Sequence, residues 1–399
     1  MHTTIASGLA EGEDGYEVGQ SAADRAVTEL AADRVDAAQV FCADTYEYDT
    51  VLAAVRETVG AGAELFGCSA AGQFTGTENA AEGILVTVLA SDTMKVFTSC
   101  STGLSESMVA TVREAVDPLP NSVANHPYLS AMVLHDGLAG VGEQLTLNVQ
   151  QRLGPYVQFA GGAASESFSL TNTHVFHGEK VLEDGLVVAL LAAKEQPAIG
   201  VAHGHEPISD PVEVTHSTGN RVHELNGQPA YEVWKDVVRE PVRSQFDIEI
   251  DEIDTQSPEF AQIMAAFEFG LDQGREYKIR WPRYDSPDTG HLTFAVDIPE
   301  GTVMRVMQSS PEQQIESARE AARQAKEAAG ETPIAGAIVY DCACRRVILQ
   351  EEFSTAVRAI DDELDCPVVG WETYGELCMQ LDQVSGFHNT TTVVMLLPE

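Results

Sequence analysis

Three stretches of this sequence repeat one pattern: an apolar strand-like segment, a helical segment, a glycine-bearing apolar segment and a closing apolar run. The first runs from Val40-Phe41-Cys42 to Leu65-Phe66-Gly67-Cys68-Ser69-Ala70-Ala71-Gly72 and closes on the run at 84–89. The second runs from Met132-Val133-Leu134-His135-Asp136-Gly137 to Gln158-Phe159-Ala160-Gly161-Gly162 and closes at 186–193. The third runs from Ile338-Val339-Tyr340-Asp341-Cys342 to Val368-Val369-Gly370-Trp371-Glu372-Thr373-Tyr374-Gly375-Glu376 and closes at 393–397. Val40 to Gly67 is 27 residues, Val133 to Gly161 is 28, and Val339 to Gly370 is 31. Strand, helical crossover and strand within about 30 residues is a βαβ-sized unit, which pairs its strands in parallel with a right-handed connection. The closing run follows a short polar loop and is expected to pair antiparallel. The predicted fold is therefore α/β, with mixed β-sheets flanked by helices, built from repeated βαβ-like units in two domains.

Helix signals fit between these strands. Asp49 precedes a stripe of Val51, Leu52, Val55 and Val59 that Gly60 stops. Leu138, Val141, Leu145, Val149 and Leu153 make a second stripe, ended by Gly154-Pro155. Ser310-Pro311-Glu312-Gln313 offers an N-cap, a first-turn proline and a capping-box partner. The helix it opens shows a face of small residues, Ala318, Ala322 and Ala325, that can approach a sheet closely. Residues 251–257 read as an acidic linker and 282–289 as a turn-rich loop. A boundary is expected near Thr218-Gly219-Asn220, where the second repeat is complete, with residues 1–19 as an N-terminal extension.

Composition narrows the function classes. At 399 residues the chain exceeds one ordinary domain. Its 44% hydrophobic content opposes disorder despite a net charge of −39. That potential repels phosphate backbones and anionic lipid, so neither nucleic acid nor membrane is an expected partner. Only 6 of the 23 basic residues are lysine and the acid is spread along the chain, the surface expected of a halophilic protein kept in solution by acidic side chains. Residues 1–20 lack a basic start and an apolar core, and the longest apolar run, 186–193, is far too short to span a bilayer, so a cytoplasmic location is expected. Seven cysteines, an odd number with Cys342-x-Cys344 as the nearest pair, do not make a disulfide framework in a chain of this size.

The segments Gly67-Cys68-Ser69-Ala70-Ala71-Gly72, His135-Asp136-Gly137, Gly161-Gly162-Ala163 and His203-Gly204-His205 resemble an N-terminal FIST domain. Gly219-Asn220, Glu224-Leu225 and Pro229-Ala230 resemble its junction with a C-terminal FIST domain. Asp341-Cys342-Ala343-Cys344-Arg345, the stretch from Gly370 to Glu376, and His388-Asn389-Thr390-Thr391 are similar to that second domain. The resemblance divides the chain into 20–218 and 219–399. It implies a sensory module of signal transduction that binds a small ligand, an amino acid or similar. Family members often carry an output region on the same chain. No residues are left for one here, so a separate signalling protein is the expected partner. No cofactor or metal is implied.

Glycine at a strand end permits a close backbone approach, so N–H groups near Gly161, Gly162 and Gly370 can face a ligand carboxylate or phosphate. Tight turning is the plainer reading of any one of them. Ligands of open α/β sheets favour the crevice beyond the carboxyl ends of strands, so at least one loop is expected to line a pocket. Residues 370–376 are the richest: Thr373 and Tyr374 carry hydroxyls, Gly375 frees the backbone and Glu376 can receive an ammonium. Arg345 can grip a carboxylate bidentately, so Arg345 with Glu376 would clamp a zwitterion; an internal Arg–Glu salt bridge is the alternative. Cys68, Ser69, His135 and Asp136 complete the expected ligand-facing set. The same residues admit a hydrolase, with Cys68 or Ser69 as nucleophile and His135 as base, although Ala71 stands where a nucleophile elbow has glycine. A protein-interaction scaffold is a third possibility. His203 and His205, with His216 and Asp210, have a spacing usable for zinc, but polar decoration of a half-exposed strand is the favoured reading.

Overall fold

The computed structural model describes residues 2–274, 276–284, 289–380 and 386–399. Three like units each run strand, helix, strand, helical crossover, strand, short hairpin, strand. The first comprises Thr4–Ala10, Gly15–Leu30, Ala37–Cys42, Tyr48–Val59, Glu64–Ser69, the hairpin Gln73–Thr75 with Asn79–Ala80, and Ile84–Ala90. The second comprises Met94–Thr102, Leu104–Val116, Tyr128–His135, Gly142–Leu153, Gln158–Ala163, the hairpin Val175–His177 with Lys180–Leu182, and Gly185–Ala193. The third begins with Ala198–His203 and resumes at helix Pro311–Ala329, followed by Ile334–Cys342, helices Ala343–Leu349 and Phe353–Asp361, and Val368–Thr373. Its hairpin is Glu376–Met379 with Gly386–His388, and it closes with Thr391–Pro398.

The mixed pairing expected of the repeats is present in all three. In each sheet the two strands joined by a crossover are parallel and the closing strand is antiparallel. Val40, Val133 and Val339 are the register partners of Gly67, Gly161 and Gly370. A Cβ on any of these glycines would run into the carbonyl oxygen of its valine partner. They lie inside strands, so their role is close strand approach rather than a loop cradle. Each unit also starts one strand and one helix before its repeated pattern. Residues of the expected N-terminal extension form the edge strand Thr4–Ala10, paired with Ile84–Ala90, and the start of helix Gly15–Leu30.

The units exchange hairpins cyclically. That of the first unit pairs with Val368–Thr373 of the third, that of the second with Glu64–Ser69 of the first, and that of the third with Gln158–Ala163 of the second. Each sheet thus has one edge covered by its neighbour, and no unit is complete alone. The inner faces share one core, in which Phe41 stacks on Trp371 at 5.0 Å and Tyr340 meets Trp371 edge-on. Helices cover the outer faces. Helix Pro311–Ala329 is capped by Ser310 and lays Ala318, Ala321, Ala322 and Ala325 on the sheet, so close that Gly200 has no room for a Cβ against Ala321.

Residues 206–308 interrupt the third unit with a module of antiparallel strands and the helices Ala230–Phe246 and Pro258–Ala266. Its core, with Trp234 buried and donating from Nε1 to the Phe267 carbonyl at 2.8 Å, is continuous with the outer core of the second unit. Thr218-Gly219-Asn220, expected as a domain boundary, is a hairpin turn between Val212–Thr218 and Arg221–Leu225, so the module begins before it. The expected linker at 251–257 joins the two helices of the module and ends in Ser257, which caps the second. Of the expected loop at 282–289, residues 285–288 lie outside the described residues. No helix among the described residues is long and apolar enough to cross a membrane.

Candidate functional site

The carboxyl ends of the three crossover strands meet, as the repeats suggest, and hydrogen bonds close them onto one another. The Ser165 N–H donates to the Ser69 carbonyl at 3.1 Å, and the Tyr374 N–H to the Ala163 carbonyl at 3.1 Å. The Glu372 N–H donates to the Gly72 carbonyl at 2.9 Å, and the Ser165 hydroxyl reaches the Glu372 carbonyl. Ser69, Ser165 and Glu372 are fully buried by this ring. The backbone groups that could have faced a ligand satisfy one another.

The cavity lies to one side, where the second and third units face the inserted module. It measures about 330 Å³. Gly137, Leu138 and the loop residues Phe168 and Leu170 line it from the second unit; Cys342, Cys344, Tyr374 and Asn389 line it from the third. The module contributes Asn220, Trp281, Arg283 and Phe294. Arg283 is the only charged residue among the described residues lining it. The walls are otherwise apolar, aromatic or neutral, the usual make-up of a small-molecule site. Leu138, expected inside a helix, precedes it: the helix starts at Gly142, and Leu138 sits in the turn after His135, 39% exposed at the cavity.

Of the residues expected to contact ligand, Tyr374 lines the cavity. Its hydroxyl donates to Glu166 Oε1 at 2.7 Å and accepts from the Phe168 N–H at 3.0 Å, so its ring is fixed and little of its polarity is left to a guest. Burial pushes the Glu166 carboxyl up, but hydrogen bonds from Ser169, Tyr374 and Leu170 outweigh it and hold the group below its ordinary range. Gly375 packs beneath the Phe387 ring, with no room for a Cβ, and the Thr373 hydroxyl donates to Glu376.

The expected zwitterion clamp does not form. Arg345 is fully buried: Nε donates to Asp341 at 2.7 Å, and its terminal nitrogens donate to Gln314 and Ser317 on helix Pro311–Ala329. The Arg345–Glu376 salt bridge expected as the alternative is not formed either; the acid that pairs with Arg345 is Asp341. The reason is local. Arg345 follows Asp341 by four residues across the strand-to-helix turn, which aims its guanidinium inward. Glu376 is also buried, held by Thr373 and by the Thr391 N–H at 3.2 Å. Burial, then the neighbouring Cys342, raises its carboxyl well above the ordinary range.

The nucleophile set is not assembled either. Ser69 Oγ accepts from the His174 N–H at 3.0 Å, and burial raises the Cys68 thiol. His135 lies on another sheet. Its Nδ1 is 2.7 Å from the Asp136 carbonyl, and burial lowers it to about 4, so the ring is neutral. The Asp136 carboxylate accepts from Thr173, the Leu138 N–H and the Asp184 N–H, which makes it a turn former rather than an orienter of His135. Among the described residues no hydrogen bond joins His135 to Cys68 or Ser69. His205 is buried and His203 half-buried, and desolvation lowers them to about 3 and about 4. His216 stands apart from them, stacked on His223 in the module.

Family comparison agrees with this architecture. The FIST N domain matches residues 36–228, and the FIST C domain matches 230–379. The chain belongs to the FIST family. FIST domains are linked to sensing in signal transduction. An uncharacterised protein of Methanocaldococcus jannaschii is 24% identical over 251 residues, 58% of this chain and 47% of that protein, so the match spans about half the length of the relative. A crystal structure of cyanuric acid hydrolase from A. caulinodans aligns over 100% of this chain and 99% of its own, with 8% identity and a TM-score of 0.33, too low to carry an argument.

The FIST repeats gave no warning of Trp281, Arg283 and Phe294. These lie in the inserted module, outside the repeated pattern. Asn220 and Asn389 did stand in recognisable motifs, but as family marks and not as cavity walls.

Proposed function

We propose that this FIST protein is a sensor whose small ligand, an amino acid or a similar carboxylate, occupies the cavity between the inserted module and the second and third units. The observation that carries the reading is the convergence of separate chain segments, from both units and the module, on one cavity of about 330 Å³ with aromatic walls and a single cation. That volume is within the range of about 300–1,000 Å³ common to small-molecule sites. Arg283 supplies the charge that a carboxylate seeks in a chain of net charge −39. Trp281, Phe294 and the Tyr374 ring supply the apolar contacts. A guest held by module and core together binds one arrangement of the two better than another, and that difference in affinity is the signal. A separate signalling protein receives it, in a cytoplasm of high salt.

The test is a thermal-shift screen of amino acids and small carboxylic acids in molar salt. A ligand at about 100 times its Kd stabilises the native state by about 2.7 kcal/mol. The reading requires a hit whose shift is lost in Leu138→Trp, which fills the cavity, and weakened in Arg283→Ala. A screen with no hit, or a hit that Leu138→Trp leaves intact, contradicts it.

A further inference from the structure

Cys342 ends the strand Ile334–Cys342, and Cys344 follows two residues later in the first turn of the next helix. Both line the cavity; Cys342 is buried and Cys344 half-buried. One residue separates them at the strand-to-helix turn, and the Cys344 thiol and N–H are both near enough to perturb the Cys342 thiol. The buried Glu376 carboxyl is another neighbour of the Cys342 thiol. No other two of the cysteines among the described residues both line this cavity: Cys42, Cys68 and Cys378 are buried elsewhere.

We propose that Cys342 and Cys344 are an oxidisable dithiol in the cavity wall, converted to a disulfide by hydroperoxides. Cys344 is the half-open member, so its sulfur attacks the terminal oxygen of the hydroperoxide. The O–O bond breaks, an alcohol leaves, and Cys344 becomes a sulfenic acid. The Cys342 sulfur then attacks the Cys344 sulfur. The S–O bond breaks, the Cys342 proton leaves with the departing oxygen as water, and the S–S bond forms. Two thiols lose two electrons, and one hydroperoxide becomes one alcohol and one water. Placement of the two cysteines two residues apart on one cavity wall makes the second step intramolecular, which gives it a high effective concentration over further oxidation of Cys344. The product suits its surroundings. A thiolate bound to a soft metal ion would place charge beside two buried carboxyls, Glu376 and Glu268, whereas a disulfide is neutral. Among the described residues no third His, Cys, Asp or Glu is placed to complete a metal site.

The experiment treats the full chain with tert-butyl hydroperoxide, alkylates the remaining thiols and maps the peptides by mass. The expected result is a peptide containing both residues that is lighter by about 2 Da than its reduced form and is restored by dithiothreitol. In Cys342→Ser, Cys344 accumulates as a sulfenic acid trapped by dimedone; in Cys344→Ser, Cys342 stays reduced. If a variant does not fold, the wild-type map alone decides. Cys342 and Cys344 both remaining alkylatable while exposed methionines are oxidised would overturn the proposal. So would Cys344 reaching the sulfinic acid beside a reduced Cys342, or pairing with another cysteine.

Discussion

The repeated core and the inserted module each place an arginine near the same cavity, and the two arginines behave in opposite ways. Arg345 comes from the repeat and is fully buried against Asp341, Gln314 and Ser317. Arg283 comes from the module and is exposed at the cavity wall. The core uses its polar groups to close three units into a ring, and the module adds Arg283, the one charged residue among the described residues lining the proposed site. On the proposed reading, repetition builds the scaffold and shares the lining of the site with the module that interrupts it.

The sharpest way to break that comparison is at the centre of the core. Trp371→Ala removes the ring that Phe41 and Tyr340 pack against and should cost up to about 5 kcal/mol. Because the hairpins are exchanged, urea unfolding should lose all three units together; loss of the third unit alone would show that they are independent. Arg345→Ala comes next. It strands Asp341, whose carboxyl burial already raises, and should cost about 3 kcal/mol while leaving ligand affinity unchanged. A changed Kd in the folded variant would return Arg345 to the binding site.

The junction of core and module gives a smaller, pH-dependent effect. Glu268 and Glu376 are fully buried, and burial raises both carboxyls well above 4.5; the Glu376 charge raises Glu268 further, and Cys342 and Asp341 raise Glu376. An acid with a raised pKa in the folded state holds its proton more tightly there than in the unfolded chain. Its contribution to stability is present at low pH and is lost as pH rises from the ordinary value through the folded one. Among the described residues Glu268 Oε2 has no hydrogen-bond partner. Glu268→Gln should therefore flatten the fall in melting temperature between pH 5 and pH 8, and an unchanged slope would mean the pair does not titrate there. The last effect belongs to the module: Arg283→Ala should weaken ligand binding about tenfold, and an unchanged Kd would remove Arg283 from the site.

The three crossover units were legible because apolar strands, helix stops and glycines recur at nearly one spacing, and Val40/Gly67, Val133/Gly161 and Val339/Gly370 proved to be register partners. The edge strand Thr4–Ala10 was not, because its TIASGLA sequence is short on large apolar residues and derives its burial from the helix packed on it. Hairpin exchange leaves no mark in a single chain's periodicity, since short strands look alike whichever sheet they join. At the site, Tyr374 was legible by chemistry and position. Arg345 was misjudged because residue type and proximity to a strand end do not reveal which way a turn aims a side chain. Trp281 and Arg283 sit at a meeting of distant segments, and nothing local records that.

The most direct test of the account is a crystal structure with a screened ligand bound. The account predicts the ligand between Trp281, Phe294 and Tyr374, its carboxylate on Arg283, with Arg345 still paired to Asp341. A ligand seated on the axis among Ser69, Ser165 and Glu372, or held by Arg345 and Glu376, would contradict it.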